Sequence, residues 1–407
     1  MNYIKPDYEP DADDLICKYY IEPNKISLSK CAEQVAAESS IGTWTELTTM
    51  SSRIKKLGAR IFEINKNGIV KIAYPSDLFE YGNVSQMLSG IAGNIFGMRG
   101  VKNIRLLDIE LPKSVVNSFK GPDVGFRDIR KMTKIKIRPL AGTIYKPKVG
   151  LTPNEMRKLA YKIYSAGIDY TKDDENLSSM KFNKFEDRVI KILDIVDKIK
   201  SEQNRNVIYA PNITAPANKM LKRAEFVKKH GGKCVMIDIL TVGWSGLQYI
   251  RDQNLKMIIH GHRAGHAAFT RNKKHGISML VIAKLARLVG VSALHTGTVV
   301  GKMEGTKKEV VETNNFLRSS WNGIKPVMPV ASGGLHPGLI PKLVKILGND
   351  LIINCGGGLW GHPSGCEAGA KAIRQAIDAA VKNIPIKNYA ECHKELRAAI
   401  NKWGGLK

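Results

Sequence analysis

The sequence predicts a C-terminal (β/α)8 TIM barrel preceded by a smaller α+β (ferredoxin-like) N-terminal domain. From about residue 136, eight apolar strand-like segments alternate with amphipathic helical stretches, and such a barrel requires eight strand–helix units. Polar residues and glycines follow the same end of several segments, where barrel enzymes carry their catalytic side chains. A chain of 407 residues is long enough for two domains, which we place at residues 1–135 and 136–407.

The N-terminal part mixes strand-like and helix-like segments without strict alternation, which is typical of a compact α+β domain. We predict strands at residues 15–21, 44–47, 59–64, 69–74 and 104–109. We predict helices at residues 29–37 and 84–91, with Ser27 or Ser29 as the cap of the first.

The predicted barrel strands are short and apolar, as expected for strands buried on both faces. They cover residues 139–145, 167–171, 206–213, 234–240, 256–260, 293–298, 327–331 and 351–355. Amphipathic helices are predicted between them at residues 154–166, 188–202, 217–230, 277–288 and 340–347.

The formal net charge of +26 is the one unusual bulk property, and it raises nucleic-acid binding as an alternative function. The lysines are spread along the whole chain, however, and no nucleic-acid-binding motif is present, so we expect no nucleic-acid partner. The six cysteines form no Cys-x-x-Cys pair, which argues for a reducing compartment. With neither a membrane-length apolar run nor a signal peptide, we expect a cytoplasmic protein without a membrane partner.

The densest group of charged residues follows the second predicted barrel strand and includes Lys172, Asp174 and Glu175. Residues two apart on a strand share a face, so Lys172 and Asp174 are predicted to project together, with Glu175 turning back toward them. Two carboxylates form a hard oxygen site suited to Mg²⁺, provided that the lysine pairs with them or is chemically neutralised. A solvated cluster of salt bridges is the alternative.

Other clusters follow neighbouring strands. Lys146 and Lys148 are predicted to share a strand face, where a desolvated lysine can transfer protons; a pair of exposed surface lysines is the alternative. His260, His262 and His266 have spacings that allow a zinc site, but His262 beside Arg263 suits acid–base chemistry on a phosphorylated sugar better. For His266 alone, a hydrogen-bonded core histidine is an equally good interpretation.

Two glycine turns follow the last two predicted strands, at residues 332–334 and 356–358. Backbone N–H groups at such turns bind phosphate, and two separate turns indicate a bisphosphate ligand. Lys302 lies between glycines after an earlier strand, in a segment that suits either a mobile lid or an ordinary loop.

Together these segments resemble the large subunit of ribulose-1,5-bisphosphate carboxylase/oxygenase (RuBisCO), most closely its archaeal-type form III branch. The motifs that carry the resemblance are Gly-Thr-Ile-Tyr-Lys-Pro-Lys (142–148), Asp-Tyr-Thr-Lys-Asp-Asp-Glu (169–175), His-Arg-Ala-Gly-His (262–266), His-Thr-Gly-Thr-Val-Val-Gly-Lys-Met-Glu-Gly (295–305) and Ala-Ser-Gly-Gly-Leu-His-Pro-Gly (331–338). In the N-terminal part, residues 37–44 and 93–97 also match, so the resemblance spans nearly the whole chain.

The resemblance implies Mg²⁺-dependent carboxylation, and oxygenation, of ribulose 1,5-bisphosphate. It implies that activating CO₂ forms a carbamate on Lys172, which binds Mg²⁺ together with Asp174 and Glu175. Lys146, His262 and Lys302 match catalytic residues of the family. The matched substrate-binding residues are Lys148, Arg263, His295, Ser332, Gly333, Gly334, Asn354, Gly356 and Gly357.

In the family, residues matching Glu38, Thr43, Trp44 and Asn94 complete the active site of the neighbouring subunit. The resemblance therefore implies a homodimer or a higher oligomer of dimers, with no small subunit expected. It also implies a role in AMP or nucleoside salvage. The segment at residues 316–325 is shorter than the family leads us to expect, which affects how the lid closes. A RuBisCO-like enolase or isomerase that fixes no CO₂ remains the alternative function.

Overall fold

The structure is a computed structural model that describes residues 2–301 and 306–405. It forms two compact units. The first contains residues up to Gly121 together with residues 265–289 and 321–324, and the second contains the remainder. The predicted domain boundary after residue 135 stays a prediction. Among the described residues, no helix has the length and apolar character needed to span a bilayer.

Strands and helices are numbered in chain order within the described residues. The strands are β1 (Asp14–Pro23), β2 (Arg60–Ile64), β3 (Ile69–Pro75), β4 (Val101–Glu110), β5 (Leu140–Ile144), β6 (Tyr170–Lys172), β7 (Ile208–Ala210), β8 (Cys234–Asp238), β9 (Ile258–His262), β10 (Gly276–Ile277), β11 (Ala293–His295), β12 (Met328–Ser332) and β13 (Ile352–Asn354). The helices are α1 (Leu28–Glu38), α2 (Ser52–Lys56), α3 (Val84–Ile91), α4 (Lys113–Asn117), α5 (Phe126–Thr133), α6 (Pro153–Ser165), α7 (Phe185–Gln203), α8 (Ala217–Lys229), α9 (Ile239–Val242), α10 (Trp244–Asp252), α11 (Ala267–Thr270), α12 (Met279–Val289), α13 (Lys307–Arg318), α14 (Ile340–Leu347), α15 (Gly357–Trp360), α16 (Gly365–Val381), α17 (Ile386–Glu391) and α18 (Lys394–Trp403). Short 3₁₀ helices cover Ser76–Leu78, Asn94–Gly97 and Pro337–Leu339.

The first unit is built on a sheet with the strand order β10-β4-β1-β3-β2. Strand β1 runs antiparallel to both β3 and β4. With α1 following β1 and α3 following β3, this order is that of a ferredoxin-like β-α-β-β-α-β fold. The prediction of a ferredoxin-like N-terminal domain is confirmed. The short strand β10 adds to β4 in parallel.

Two predictions in this unit had different outcomes. Helix α1 begins as expected, because the Ser27 side chain accepts a hydrogen bond from the Lys30 backbone N–H at 3.2 Å. The strand predicted at residues 44–47 is wrong, because this segment forms turns and bends and pairs with no strand. Tryptophan and threonine favour strands only where a pleated neighbour packs against them, and Trp44 is 92% exposed.

The second unit is the predicted barrel, with eight parallel strands in the order β7-β6-β5-β13-β12-β11-β9-β8. Hydrogen bonds from the Ile213 N–H to the Met236 carbonyl (3.0 Å) and from the Met236 N–H to the Pro211 carbonyl (2.8 Å) join the two ends of this order. All eight predicted barrel strands are present, most of them shorter than predicted. The TIM-barrel prediction is therefore confirmed.

Helix α5 belongs to the same buried cluster as the barrel interior, which it joins through Ile129. From this helix, Arg130 donates hydrogen bonds to the carbonyls of Arg138 (2.6 Å) and Asn349 (2.8 Å), just before β5 and β13 begin. The helix therefore covers the N-terminal ends of the strands. The C-terminal ends are left for ligands, as in barrel enzymes generally.

A buried ion pair holds the loop after β6 against helix α7. Asp173 and Arg188 are both fully buried, and Arg188 Nε donates to Asp173 Oδ2 at 3.1 Å. The same carboxylate accepts hydrogen bonds from the Tyr209 hydroxyl (2.7 Å) and the Asn212 N–H (2.9 Å). Every one of these partners lies outside the catalytic cluster described below, so the network is structural.

Replacing Arg188 with Met should destabilise the protein by about 3–5 kcal/mol, because Asp173 would remain buried without its counter-charge. Denaturant-induced unfolding measures this change. The control is Lys191→Met, which removes an exposed ion pair with Asp187 on the same helix and should change stability by less than about 1 kcal/mol. Adding Asp173→Asn to Arg188→Met should recover part of the lost stability. Equal losses of stability in Arg188→Met and Lys191→Met would contradict this account.

Candidate active site

Lys172 ends strand β6 and is only 1% exposed. Its Nζ donates to the Asp173 carbonyl at 2.8 Å and lies 3.8 Å from Glu175 Oε2. Burial lowers the pKa of Lys172, although the surrounding carboxylates oppose this shift. An amine in this setting is not part of a solvated salt-bridge cluster, and its neutral form is a nucleophile.

Asp174 and Glu175 follow Lys172 in the loop after β6, where each meets a lysine from the loop after β5. Lys146 Nζ donates to Asp174 Oδ2 at 2.6 Å, and Lys148 Nζ lies 3.8 Å from Glu175 Oε1. Burial acts to raise the pKa of Asp174, but the hydrogen bond and charge of Lys146 outweigh it, so that the pKa is lowered. The structure brings these four residues together, but it does so through loops. The prediction that Lys146 and Lys148 share a strand face is wrong, because β5 ends at Ile144.

His262 ends strand β9, with its ring between two carboxylates. Its Nδ1 lies 2.7 Å from Asp238 Oδ1, and its Nε2 lies 3.7 Å from Glu175 Oε2. Burial and the charge of Lys172 lower the pKa of His262, whereas Asp238 and Glu175 act to raise it. Asp238 therefore holds the ring so that Nε2 faces the carboxylate loop, an arrangement suited to acid–base chemistry.

A chain of hydrogen bonds crosses the barrel interior and ends at Ser332. The Tyr170 hydroxyl lies 2.9 Å from His260 Nδ1, and His260 Nε2 lies 2.8 Å from His295 Nε2. His295 Nδ1 in turn lies 2.6 Å from Ser332 Oγ. Because both nitrogens of His260 are used in this chain, the structure does not support its predicted alternative as a zinc ligand.

Groups suited to anion binding surround these side chains. Arg263 is 7% exposed, and within the described residues its guanidinium has no carboxylate partner, which leaves its positive charge available to an anion. Burial lowers its pKa to about 10. Gly297 allows Arg263 to occupy this position, because a Cβ there would lie 2.7 Å from Arg263 Nη2.

Each of the two predicted glycine turns has a feature that suits close approach of a ligand. Gly333 and Gly334 have φ angles of +113° and +70°, which side chains rarely adopt. A Cβ at Gly357 would meet no atom within 4 Å, so this glycine faces open space. Asn354 lies just before that turn, buried, with neither side-chain amide atom hydrogen-bonded within the described residues. A polar ligand at this position would satisfy Asn354.

Lys302, the predicted lid lysine, lies outside the described residues. In the segment that precedes it, the Gly301 N–H donates to Thr298 Oγ1 at 2.9 Å. This segment is close to the first glycine turn. A Cβ at Gly301 would lie 2.0 Å from the Gly333 carbonyl oxygen, so only glycine fits there.

In the first unit, the four residues predicted to serve a neighbouring subunit lie together. Glu38, Thr43, Trp44 and Asn94 line one cavity of about 710 Å³, and Asn94 Nδ2 donates to Glu38 Oε1 at 3.2 Å. The nearly complete exposure of Trp44 is unusual for a side chain of this size, and is typical of a residue that a partner or ligand covers.

Sequence reasoning missed Asp238 and Tyr170 as members of the site. Asp238 is the only charged residue in the apolar run 234–240, near the C-terminal end of a predicted strand, and that charge in an otherwise apolar segment was a usable signal. Tyr170 carried no such signal, because a tyrosine in a buried strand reads as an ordinary core residue.

A barrel whose open end gathers a buried lysine, two acidic residues, an oriented histidine and groups suited to anion binding defines an enzyme of the (β/α)8 class acting on an anionic substrate. The sequence model described as ribulose bisphosphate carboxylase large chain, catalytic domain, matches residues 125–403, and that of the N-terminal domain matches residues 2–115. The chain therefore belongs to the ribulose bisphosphate carboxylase large-chain family.

Named relatives match over nearly the whole chain. The ribulose bisphosphate carboxylase of Pyrococcus abyssi is 50% identical, over 100% of this chain and 97% of the relative. That of Methanocaldococcus jannaschii is 48% identical, over 99% of this chain and 100% of the relative.

Solved structures also match nearly the whole chain. An octameric RuBisCO from Pyrococcus horikoshii, described as a complex with sulfate ion, has a TM-score of 0.95 at 49% identity and covers 99% of this chain and 96% of its own. A dimeric archaeal RuBisCO from Hyperthermus butylicus has a TM-score of 0.93 at 42% identity, covering 99% of both chains.

Replacing Asp238 with Asn should lower the pKa of His262 further, because the substitution removes a negative charge that stabilises the imidazolium. The neutral ring would then persist to lower pH. Titration of histidine-labelled protein by NMR measures the shift, with Asp197→Asn on the exposed side of α7 as the control. An unchanged or raised pKa would show that Asp238 does not act on His262 in this way.

Proposed function

We propose that the protein carboxylates D-ribulose 1,5-bisphosphate, converting it with CO₂ and water to two molecules of 3-phosphoglycerate. The observation that carries the proposal is the buried amine of Lys172 beside Asp174 and Glu175, in a chain that belongs to the carboxylase family. The surrounding cationic groups, Arg263 among them, suit a substrate with two phosphates.

The donor groups fit Mg²⁺ if Lys172, which as an ammonium would repel the metal, is modified. Within the described residues, no group of three or more histidine, cysteine, aspartate or glutamate side chains is placed to hold a metal ion. Asp174 and Glu175 supply two carboxylates, and Lys172 is proposed to supply a third anionic ligand, as the resemblance to the carboxylase family implies. Its neutral amine can attack activating CO₂, form a carbamate and release a proton, and the carbamate supplies oxygen, which Mg²⁺ prefers. When bound, Mg²⁺ would polarise the C2 carbonyl and C3 hydroxyl oxygens of the sugar.

The remaining side chains handle protons. Lys146, which lies against Asp174, is proposed to transfer a proton at C2 of the substrate. His262, held by Asp238, is proposed as the second acid–base group. Loss of the C3 proton gives the enediolate of the sugar, which attacks CO₂; water then adds to the product, and the C2–C3 bond breaks. Lys302 is proposed to stabilise the carboxylate that forms.

The phosphate groups are assigned to the two kinds of anion site. Arg263 is proposed to bind one phosphate, and His295 is proposed to contribute to that site through Ser332, because its two ring nitrogens are hydrogen-bonded to His260 and Ser332 in this structure. Gly334, Gly356 and Gly357 are proposed to bind the other through backbone N–H groups, with Lys148, Ser332, Gly333 and Asn354 as further substrate contacts. A Cβ at Gly356 would lie 3.6 Å from Lys146 Cε, so this turn adjoins the proposed proton-transfer lysine.

The enediolate would also react with O₂, so oxygenation is proposed as a second activity. We assign the carboxylation to AMP or nucleoside salvage. The alternative, a related enolase or isomerase without CO₂ fixation, is disfavoured because Lys146, His262 and His295 are all present and are arranged around the carboxylate loop.

Purified protein, incubated with Mg²⁺ and bicarbonate and then given ribulose 1,5-bisphosphate, should incorporate labelled CO₂ into acid-stable product. Lys172→Ala should reduce this fixation by about 10²–10⁴-fold or more, because it removes the third metal ligand. Lys198→Ala, which removes a half-exposed lysine on α7, should retain it. Wild-type protein that binds the bisphosphate and fixes no CO₂ would favour the enolase or isomerase.

The cavity around Trp44 is proposed to complete the active site of a neighbouring subunit. Homo-oligomers among the relatives of known structure, dimeric in one case and octameric in another, support this assembly. Co-expressed Glu38→Ala and Lys172→Ala chains should then recover about a quarter of wild-type activity, since half of the dimers are mixed and each has one intact site. Either variant alone should be inactive. If the mixed preparation is also inactive, the site lies within a single chain.

A further inference from the structure

Four side chains from four barrel strands form one unbroken chain of hydrogen bonds. It runs from Tyr170 on β6 through His260 on β9 and His295 on β11 to Ser332 on β12. Tyr170, His260 and His295 are all at least 97% buried, so solvent does not compete for their polar atoms. Only Ser332 reaches the region assigned to the substrate.

The contact between the two imidazoles restricts the protons in this chain. Two Nε2 atoms 2.8 Å apart hold one proton between them, because two protons would clash and none would leave two lone pairs facing each other. Burial lowers the pKa of both His260 and His295 well below the usual value, so both rings are neutral and each carries a single proton. The protons therefore have only two consistent arrangements along the chain.

In the first arrangement, every donor points toward the substrate. Tyr170 donates to His260 Nδ1, His260 Nε2–H donates to His295, and His295 Nδ1–H donates to Ser332 Oγ. The Ser332 hydroxyl is then free to donate to a ligand. In the second arrangement all these bonds are reversed, and Ser332 uses its proton on His295 and presents only an acceptor to the ligand.

Cys234 favours the first arrangement. Its Sγ lies 3.2 Å from the Tyr170 hydroxyl, and burial raises its pKa to about 12, so it is a thiol. In the first arrangement the phenol donates to an imidazole nitrogen, a strong acceptor. In the second, the phenol would have to donate to sulfur, which is a weak acceptor.

We infer that Tyr170 and His260 are positioning residues that fix His295 in its Nδ1–H tautomer and thereby fix Ser332 as a hydrogen-bond donor to the bound sugar bisphosphate. An anionic ligand requires donors, so the direction of the chain matters for affinity. The ligand in this inference rests on the proposed function, whereas the proton arrangement does not.

The proton arrangement is tested without any activity. In ¹⁵N-histidine-labelled protein, NMR should show His260 protonated at Nε2 and His295 at Nδ1. Tyr170→Phe should produce a second set of signals from the opposite tautomers, because the donor that selects between them is gone. Tyr164→Phe removes an equally buried hydroxyl outside the chain and should leave the signals unchanged. The opposite tautomers in the wild type, or unaltered signals in Tyr170→Phe, would overturn the inference.

The consequence for the ligand is tested with a matched pair at position 260. His260→Gln keeps an N–H donor and should bind ribulose 1,5-bisphosphate nearly as the wild type does. His260→Leu removes the donor and should raise the Kd about three- to tenfold, the range for one net hydrogen bond. In a Ser332→Ala background, His260→Leu should have no further effect.

The outcomes separate the two proposals. Equal losses of bisphosphate affinity in His260→Gln and His260→Leu would show that position 260 acts only through packing. The same conclusion would follow if His260→Leu caused its full loss of affinity in the Ser332→Ala background as well. A protein that shows the expected tautomers and binds the bisphosphate but fixes no CO₂ would contradict the proposed function and leave this inference standing.

Discussion

The site depends on four consecutive charged residues, 172–175, whose side chains point in different directions. Lys172 ends buried in the barrel interior, whereas Asp173 points away and is fully buried against Arg188 and Tyr209. A buried carboxylate with several hydrogen bonds and a counter-charge is held firmly, and leaving it unpaired would be strongly destabilising. That anchor determines where the next two carboxylates lie. Without it, Asp174 and Glu175 would have no reason to face Lys146 and His262.

Cationic side chains gather around the carboxylates at the open end of the barrel. Lys146, Lys148 and Lys172 surround the two carboxylates, and Arg263 adds a buried charge without a carboxylate partner in the part of the chain that the structure describes. Burial keeps His260 and His295 neutral in the same region, since further cations there would be repelled. This local group of cations has a functional explanation, whereas most of the net charge of +26 is spread along the sequence.

The barrel and its strand ends were predictable because they depend on local pattern. Apolar segments that alternate with amphipathic stretches identified all eight strands, and the charged or glycine-rich residues after them identified most of the site. The wrong strand at residues 44–47 has strand-forming residues but no neighbouring strand, which no local pattern reveals. The contacts of Tyr170 and Asp238 were likewise unpredictable in detail, because each is made to a side chain on another strand, 90 positions away for Tyr170–His260 and 24 for Asp238–His262.

Desolvation links the two halves of the site. It lowers the pKa of Lys172, against the opposing effect of the nearby carboxylates, and it keeps the imidazoles of the Tyr170–Ser332 chain neutral, so that their protons are ordered by hydrogen bonds. A more open barrel mouth would weaken the lowering of the Lys172 pKa and let water satisfy the histidines individually. The same exclusion of water therefore serves both the chemistry proposed at Lys172 and the orientation of the donors that face the substrate. A substitution that admits water at either place would be expected to weaken both.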